Sequence, residues 1–189
     1  ADRDLVNDPR VLRALAHPVR GRILDELGAS GPLRAADVAR ELDIPANQAS
    51  FHLRQLAKYR LVEEAPEEAR DKRDRVWRVA ASDSLTLNLR ELEQAPGGRA
   101  AGKVFRRNKR AWVHHLVDRA FATGRPEGSG HFSSSEQALK LTEEEATELA
   151  GELVDLVGAW RTRTRGRDSE RRTYVAFHLL QPYPPEESE

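Results

Sequence analysis

Short amphipathic helix patterns follow one another closely between residues 8 and 59, and this spacing limits the folds open to the chain. Asp8-Pro9 suits a helix start, and His17-Pro18 separates the first pattern from the second. Proline disfavours helical backbone in the residue before it and can itself begin the next helix. Two further patterns are separated only by Asp43-Ile44-Pro45. Helices joined by such short turns must cross and pack on one another.

Two strand-like runs, residues 61–65 and 73–79, follow the last of these helices and are joined by a charged loop. In the second run Trp77 and Val79 alternate with Val76 and Arg78, so that one face can pack on the helices. Crossed helices followed by a β-hairpin predict a winged helix-turn-helix. This scaffold places its second helix in the DNA major groove.

The helix expected to enter the groove has two unlike faces. At 100° per residue, Ala49, His52, Leu53 and Leu56 cluster on one side, and the opposite side is polar apart from one aromatic residue. No acidic residue occurs between positions 46 and 60. Amide, hydroxyl and guanidinium groups are the types that bind base edges and phosphates. The candidate DNA-contact residues are Arg34, Asn47, Gln48, Ser50, Phe51, Arg54, Gln55 and Lys58 from the helical part, and Arg70, Lys72, Arg73 and Arg75 from the hairpin.

The hairpin supports two interpretations. Its cations are placed to bind phosphates, but Glu67, Glu68, Asp71 and Asp74 weaken the basic signal and would equally suit a solvated hairpin. His52 is on the inner flank of its helix, where a packed residue is favoured over a base-reading one.

The charge of the chain is unevenly distributed, and its composition excludes several classes of protein. The net charge of zero conceals a gradient, because residues 1–80, 81–130 and 131–189 carry +1, +4 and −5. The chain has no cysteine, which excludes disulfides and thiolate metal sites. No membrane-length apolar run or signal peptide is evident, so a cytoplasmic location is expected. No phosphate-binding loop or hydrolase motif is present, so we expect neither an enzyme nor a cofactor.

The region after residue 83 predicts a long helix. Pro96-Gly97-Gly98 is a break, and residues 99–122 follow with helical periodicity. About 24 residues span roughly 36 Å, which is long for a small domain and suits packing on a partner chain. We therefore expect a DNA-binding domain at 1–83 and a dimerisation and effector region at 84–189. The candidate dimerisation residues are Val104, Phe105, Trp112 and Leu116.

Beyond this helix the pattern predicts a strand-helix-strand extension, giving an α+β fold overall. The strands are expected at Phe132–Leu141 and Thr173–Gln181, the second of them buried, with a helix between them started by a capping box at Thr142 and Glu145. We expect this segment to fold onto the long helix and to couple it to regulation.

Aromatic and histidine residues in this half leave alternatives open. An apolar effector pocket or ordinary core would each account for Phe105, Trp112, Phe132, Trp160, Tyr174 and Phe177. His114 and Asp118, four residues apart, would share a helix face and could bind a divalent metal. Because a second pair of ligands at helical spacing is missing, the interpretation of interface or core histidines is favoured over a metal site.

Residues 8–80 resemble the ArsR-type winged helix-turn-helix regulators. The matching segments are LRALAHPVRGRILDEL, LRAADVARELDI and ASFHLRQLAKYRLVEE, with a strand ending RVWRV; Ser50-Phe51-His52-Leu53 is similar to the family's Ser-x-His-Leu signature. The resemblance implies a homodimeric repressor released by a ligand or metal. Arg60 stands where the family has a glycine, which implies strain or a different helix end. The family's thiolate pair would fall near Arg34 and Ala36, which cannot bind a soft metal.

The sequence thus favours a sequence-specific transcriptional regulator that binds double-stranded DNA as a homodimer, with a small apolar effector as a further partner. The alternative is an architectural or protein-interaction module that uses the winged helix without reading sequence. Asn47, Gln48 and Ser50 at the helix start favour the first hypothesis, since an architectural module would not need them.

Overall fold

The first two helices meet at the His17-Pro18 dipeptide. In the computed structural model, which describes residues 9–69, 75–80, 89–124, 130–166 and 171–183, α1 is Pro9–Leu15 and α2 is Pro18–Ser30. His17 has extended backbone (φ −81°, ψ 122°), as expected for the residue before a proline. The predicted break between the two helices is therefore confirmed.

Helices α3, Ala35–Leu42, and α4, Ala46–Lys58, are joined by a three-residue turn. Asp43 begins the turn in the left-handed region (φ 51°), and its backbone N–H binds the last carbonyls of α3. Aspartate tolerates this conformation better than most residues do. The short turn places α3 and α4 in direct contact, as the helix-turn-helix pattern predicts.

A small antiparallel sheet follows the helices. It contains β1, Leu33–Arg34, β2, Val62–Glu64, and β3, Val76–Val79, in the order β1-β3-β2. In the predicted hairpin Val62 lies opposite Val79, and a 3₁₀ turn, Pro66–Glu68, follows β2. This hairpin is the wing, and it confirms the predicted β-ribbon.

One hydrophobic core joins these helices to the wing. Trp77 of β3 is 5% exposed and packs with the inner faces of the helices. The members of the core are Val11, Ala14, Ile23, Leu27, Leu33, Val38, Ala39, Leu42, Ala49, Leu53, Leu56, Leu61, Val62 and Trp77. Because α4 contributes to this core along its length, its orientation is fixed by packing.

A second cluster attaches the long helix. Helices α5, Leu89–Gln94, and α6, Gly98–Ala120, contact each other, and α6 also packs along α1. Leu12, Leu92 and Ala101 are buried between them. Asn108 of α6 donates a hydrogen bond from its side chain to the carbonyl oxygen of Ala16, 2.6 Å away. The predicted long helix is confirmed, with ends within two residues of those expected.

The chain divides into two compact units, residues 1–132 and 133–189, so α6 belongs to the same unit as the winged domain. The α+β class is confirmed by the helices and the small sheet. The predicted functional division into 1–83 and 84–189 stays a prediction, and most of the segment around residue 84 is outside the described residues.

The second unit contains α7, Glu143–Thr164, which begins with the predicted capping box. The Thr142 backbone N–H donates to Glu145 Oε2 at 2.8 Å, and the Glu145 N–H donates to Thr142 Oγ1 at 3.2 Å. The two predicted flanking strands are wrong: 132–141 and 173–181 have no regular secondary structure. The burial predicted for the second is also wrong, since Tyr174 is 62% exposed and Leu179 is 69% exposed.

Within the described part of the chain, no helix is both long enough and apolar enough to cross a membrane.

Candidate nucleic-acid interface

Helix α4 presents a polar face because its other face is held in the core. Ala49, Leu53 and Leu56 are fully buried, and His52 is 4% exposed. On the opposite side, the exposed residues are those that the helical pattern predicts, namely Asn47, Phe51, Arg54 and Lys58. Packing of one face therefore determines which side chains a ligand can reach.

The chemistry of this exposed face suits a nucleic acid. It combines an amide, a guanidinium and an ammonium group, with no carboxylate between positions 46 and 60. Such groups bind base edges and phosphate oxygens. Phe51 is an exposed aromatic ring (49%) among them, and apolar side chains in the major groove can contact thymine methyl groups.

The flanking polar residues are less accessible than the central ones. Gln48, Ser50 and Gln55 are half-buried. Asn47 Oδ1 accepts a hydrogen bond from the Gln48 backbone N–H at 2.9 Å, which leaves the Asn47 amide nitrogen to other partners at the start of the helix. Their predicted contacts with DNA stay predictions.

The end of α4 is closed by Arg60 in a left-handed conformation (φ 56°). Its N–H binds the Ala57 carbonyl at 2.9 Å, and the Leu61 N–H reaches back to the Leu56 carbonyl at 3.1 Å. This pair of bonds forms a Schellman motif, in which glycine usually holds the left-handed position. The sequence predicts either backbone strain or a different helix end at Arg60. The structure has the strained backbone, and the helix end itself is normal.

Arg34 has a structural partner that the sequence pattern did not reveal. Its Nε and Nη2 donate to the two carboxylate oxygens of Asp37, at 2.9 and 3.0 Å, and Asp37 is 2% exposed. The fork-to-fork geometry is strong and directional. Arg34 is half-buried at the start of α3, so its guanidinium supports this helix whether or not it also meets a phosphate.

The described part of the wing is largely charge-paired. Arg75 is exposed, with Nε 3.8 Å from Glu64 Oε1. Arg78, absent from the predicted contacts, donates to Glu63 at 2.7 Å and also pairs with Glu67. The hydrogen bond that Arg78 donates to Glu63, followed by the charge of Glu67, raises the pKa of Arg78 above its ordinary value. Arg70, Lys72 and Arg73 lie outside the described residues.

A histidine pair behind the recognition face was also missed. The rings of His17 and His52 have centroids 4.5 Å apart, and Phe51 meets His52 edge-on at 5.3 Å. Burial, followed by the nearby Arg20 charge, lowers the pKa of His17; burial, then His17 and Arg20, lowers that of His52. A histidine before Pro18 and one on the inner face of α4 were the sequence signals available.

The remaining predicted site residues lie in both units. In the first unit Phe105 packs against the second cluster, Trp112 and Leu116 are half-buried, and Val104 is 38% exposed. Phe132 meets Phe121 edge-on at 6.2 Å. The predicted dimer interface stays a prediction.

In the second unit Trp160, Tyr174 and Phe177 are exposed, and the Arg163 guanidinium lies 3.4 Å from the centre of the Trp160 ring. The predicted effector pocket stays a prediction. His114 and Asp118 are exposed on α6, and the described residues contain no group of three His, Cys, Asp or Glu side chains placed to bind a metal.

Comparison with known families identifies the N-terminal fold. Residues 15–65 match a family described as "Helix-turn-helix domain". Because β2 and β3 follow the helices as a wing, this part of the chain has the winged helix-turn-helix fold predicted from the sequence. No curated protein sequence matches the chain.

Solved structures of transcription regulators resemble the chain at low similarity. A possible transcriptional regulatory protein of Mycobacterium bovis, fragment 1–100, is 26% identical over 58% of this chain and 88% of its own (TM-score 0.33). The homodimeric winged helix-turn-helix DNA-binding domain of a possible ArsR-family regulator from M. bovis is 24% identical over 62% and 84% (TM-score 0.33). MepR of S. aureus, in complex with DNA, is 17% identical over 82% and 86% (TM-score 0.35). Since these TM-scores are below 0.5, the overall likenesses carry no argument.

Proposed function

We propose that this winged helix-turn-helix protein is a DNA-binding transcription regulator that acts as a homodimeric repressor on a pseudo-palindromic site. The observation that carries the proposal is the acid-free outer face of α4, formed by Asn47, Phe51, Arg54 and Lys58. These side chains are exposed while the opposite face of the helix is held in the core, and α4 is the second helix of the motif, the one that enters the major groove.

A homodimer would read two half-sites about 10 base pairs apart, one helical turn of DNA. Support for self-association comes from α6, whose 23 residues extend past the cluster that attaches it to α1 and α5. Trp112 and Leu116 lie beyond that cluster and are only half-buried. A second copy of α6 would cover them.

Selection of bound sequences from random duplexes tests DNA reading. We expect one enriched sequence with approximate two-fold symmetry. Arg54→Ala should lower affinity for it by about 1–3 kcal/mol if Arg54 contacts a guanine, and by less if it contacts only phosphate. Arg107→Ala, which removes an exposed cation from α6, is the control and should leave sequence preference unchanged.

The same experiment separates the alternative function. An architectural module would bind duplexes with strong salt dependence and no sequence preference, since phosphate contacts carry no sequence information. Binding without an enriched sequence would therefore overturn the proposed regulator.

A further inference from the structure

We infer that His17 and His52 are positioning residues that hold the recognition helix against the α1–α2 junction, and that their contact opens when either ring takes up a proton. The inference rests on the proposed function of α4 as the DNA-reading helix. It assigns a role to two residues outside the exposed recognition face.

The contact joins two parts of the domain that must keep a fixed position relative to each other. His17 lies between α1 and α2, and His52 lies in the middle of α4, next to the exposed Phe51. The two rings meet at 4.5 Å with a 47° tilt. Because His52 is 4% exposed, a movement of its ring would require α4 to shift relative to the junction.

The polar atoms of this contact suit neutral rings. The Nδ1 atoms of His17 and His52 are buried and have no hydrogen-bond partner within the part of the chain that the structure describes. A neutral imidazole can leave one nitrogen as an unprotonated acceptor, whereas a protonated imidazole has two N–H donors. Protonation at Nδ1 would therefore bury a charged donor with no acceptor, which costs more than leaving a neutral nitrogen unpaired.

Neighbouring charge acts in the same direction. The charge of Arg20, on α2, acts on both rings, and the Arg20 Nε is buried without a partner among the described residues. Tyr59, at the end of α4, is the titratable group that acts on Arg20. A proton on either histidine would place a second cation beside the guanidinium. Burial and Arg20 lower the pKa of both rings, so both are neutral at neutral pH.

The direction of the pH effect follows from linkage. The closed contact has lowered histidine pKa values, while an opened contact returns them toward about 6.5. As the pH falls below this open-form pKa, the open form binds more protons than the closed form does. The closed form is therefore fully favoured above that pH and becomes less favoured below it.

The test measures affinity for the selected DNA sequence at about pH 7.5 and about pH 5.5, the range in which histidine changes charge. We expect wild-type affinity to fall severalfold at the lower pH, because the open form binds more protons there. His17→Phe keeps an aromatic ring against His52 but removes one titrating group, so its affinity should fall clearly less than that of wild type. His178→Phe, a change at an exposed histidine in the other unit, should behave as wild type. Equal pH dependence in wild type and His17→Phe would overturn the inference and leave the proposed function intact.

Hydrogen exchange on the wild-type full chain without DNA provides a readout independent of the proposed function. After correction for the intrinsic exchange rate, protection of α4 amides should fall between about pH 7.5 and about pH 5.5, while protection of α6 amides does not. Unchanged protection of α4 would overturn the inference even if DNA binding is lost. Loss of α4 protection without DNA binding at either pH would contradict the proposed function alone.

Discussion

Arg60 shows how a single residue departs from the local preferences of its position. It closes α4 with φ 56°, a conformation that costs an L-residue with a side chain about 1–2 kcal/mol. The hydrogen bonds to Ala57 and Leu56 are those of a normal helix end, so the chain retains the geometry in spite of that cost. The core contacts of Leu61, immediately after it, hold the turn in place.

Arg60→Gly should therefore stabilise the protein. The relief of left-handed strain is partly offset by the greater freedom of glycine in the unfolded chain, leaving a net gain of about 0.5–1 kcal/mol. Urea unfolding measures the gain. Arg60→Ala is the matched control, because alanine removes the same side chain but keeps the strain. A gain of the same size for alanine would show that the guanidinium, and not the backbone, is the unfavourable group.

For single residues, the sequence reveals only part of the site. The exposed face of α4 follows from helical periodicity and was predicted residue by residue, because burial of Leu53 and Leu56 fixes the opposite side. The bond between Arg34 and Asp37 and the pairing of Arg78 with Glu63 were not predicted. Both pairs depend on side-chain rotamers and on cross-strand neighbours that only the fold determines. Before the fold is known, many exposed charged residues are equally good candidates for such pairs.

At the scale of elements, the contact between α5 and α6 depends on the absence of side chains. A Cβ atom at Gly98 would meet the backbone carbonyl oxygen of Leu92. Gly98 is buried at the first turn of α6, where Leu92 and Ala101 pack in the second cluster. A backbone atom cannot rotate away as a side chain can, so any larger residue must separate the two helices.

Gly98→Ala is expected to destabilise the first unit by about 1–3 kcal/mol, the usual cost of overpacking. Gly158→Ala provides a matched control in α7, where an added Cβ has open space, and it should be neutral or favour the helix by up to about 1 kcal/mol. Thermal unfolding followed by circular dichroism measures both. If Gly98→Ala is as well tolerated as Gly158→Ala, the α5–α6 contact is looser than described.

The elements that were predicted wrongly share a physical cause. Helices α4, α6 and α7 were predicted because a helix satisfies its own backbone hydrogen bonds and its periodicity is local. A strand needs a partner, and the apolar residues at 132–141 and 173–181 do not specify one. The hairpin of β2 and β3 was predicted because its two strands are near in sequence and a charged turn joins them.

At the scale of the whole molecule, self-association concerns the far half of α6. The near half is committed to its own unit, since Ala101 is buried and Phe105 packs against the second cluster. Farther along α6, the ring contact described for Trp112 is with His115 of the same helix, and the two ring centroids are 5.7 Å apart. Val117 is 48% exposed. This apolar stretch is available to a second copy without any rearrangement of the first unit.

Replacing Trp112 and Leu116 together by Asp should therefore give monomers in sedimentation velocity while the winged domain stays folded. Neither residue belongs to a buried cluster, so the cost falls on association, where two buried carboxylates per chain would have to be desolvated. Cooperative thermal unfolding close to that of wild type would show that the fold is retained. Val154→Asp with Leu156→Asp makes a comparable change at two exposed positions of α7 and should leave a dimer. If the α7 pair gives monomers and the α6 pair does not, the interface lies in the second unit. A monomer produced by the Trp112 and Leu116 replacements would still carry an intact recognition helix. Its affinity for a single half-site would measure how much of the specific binding the dimer supplies.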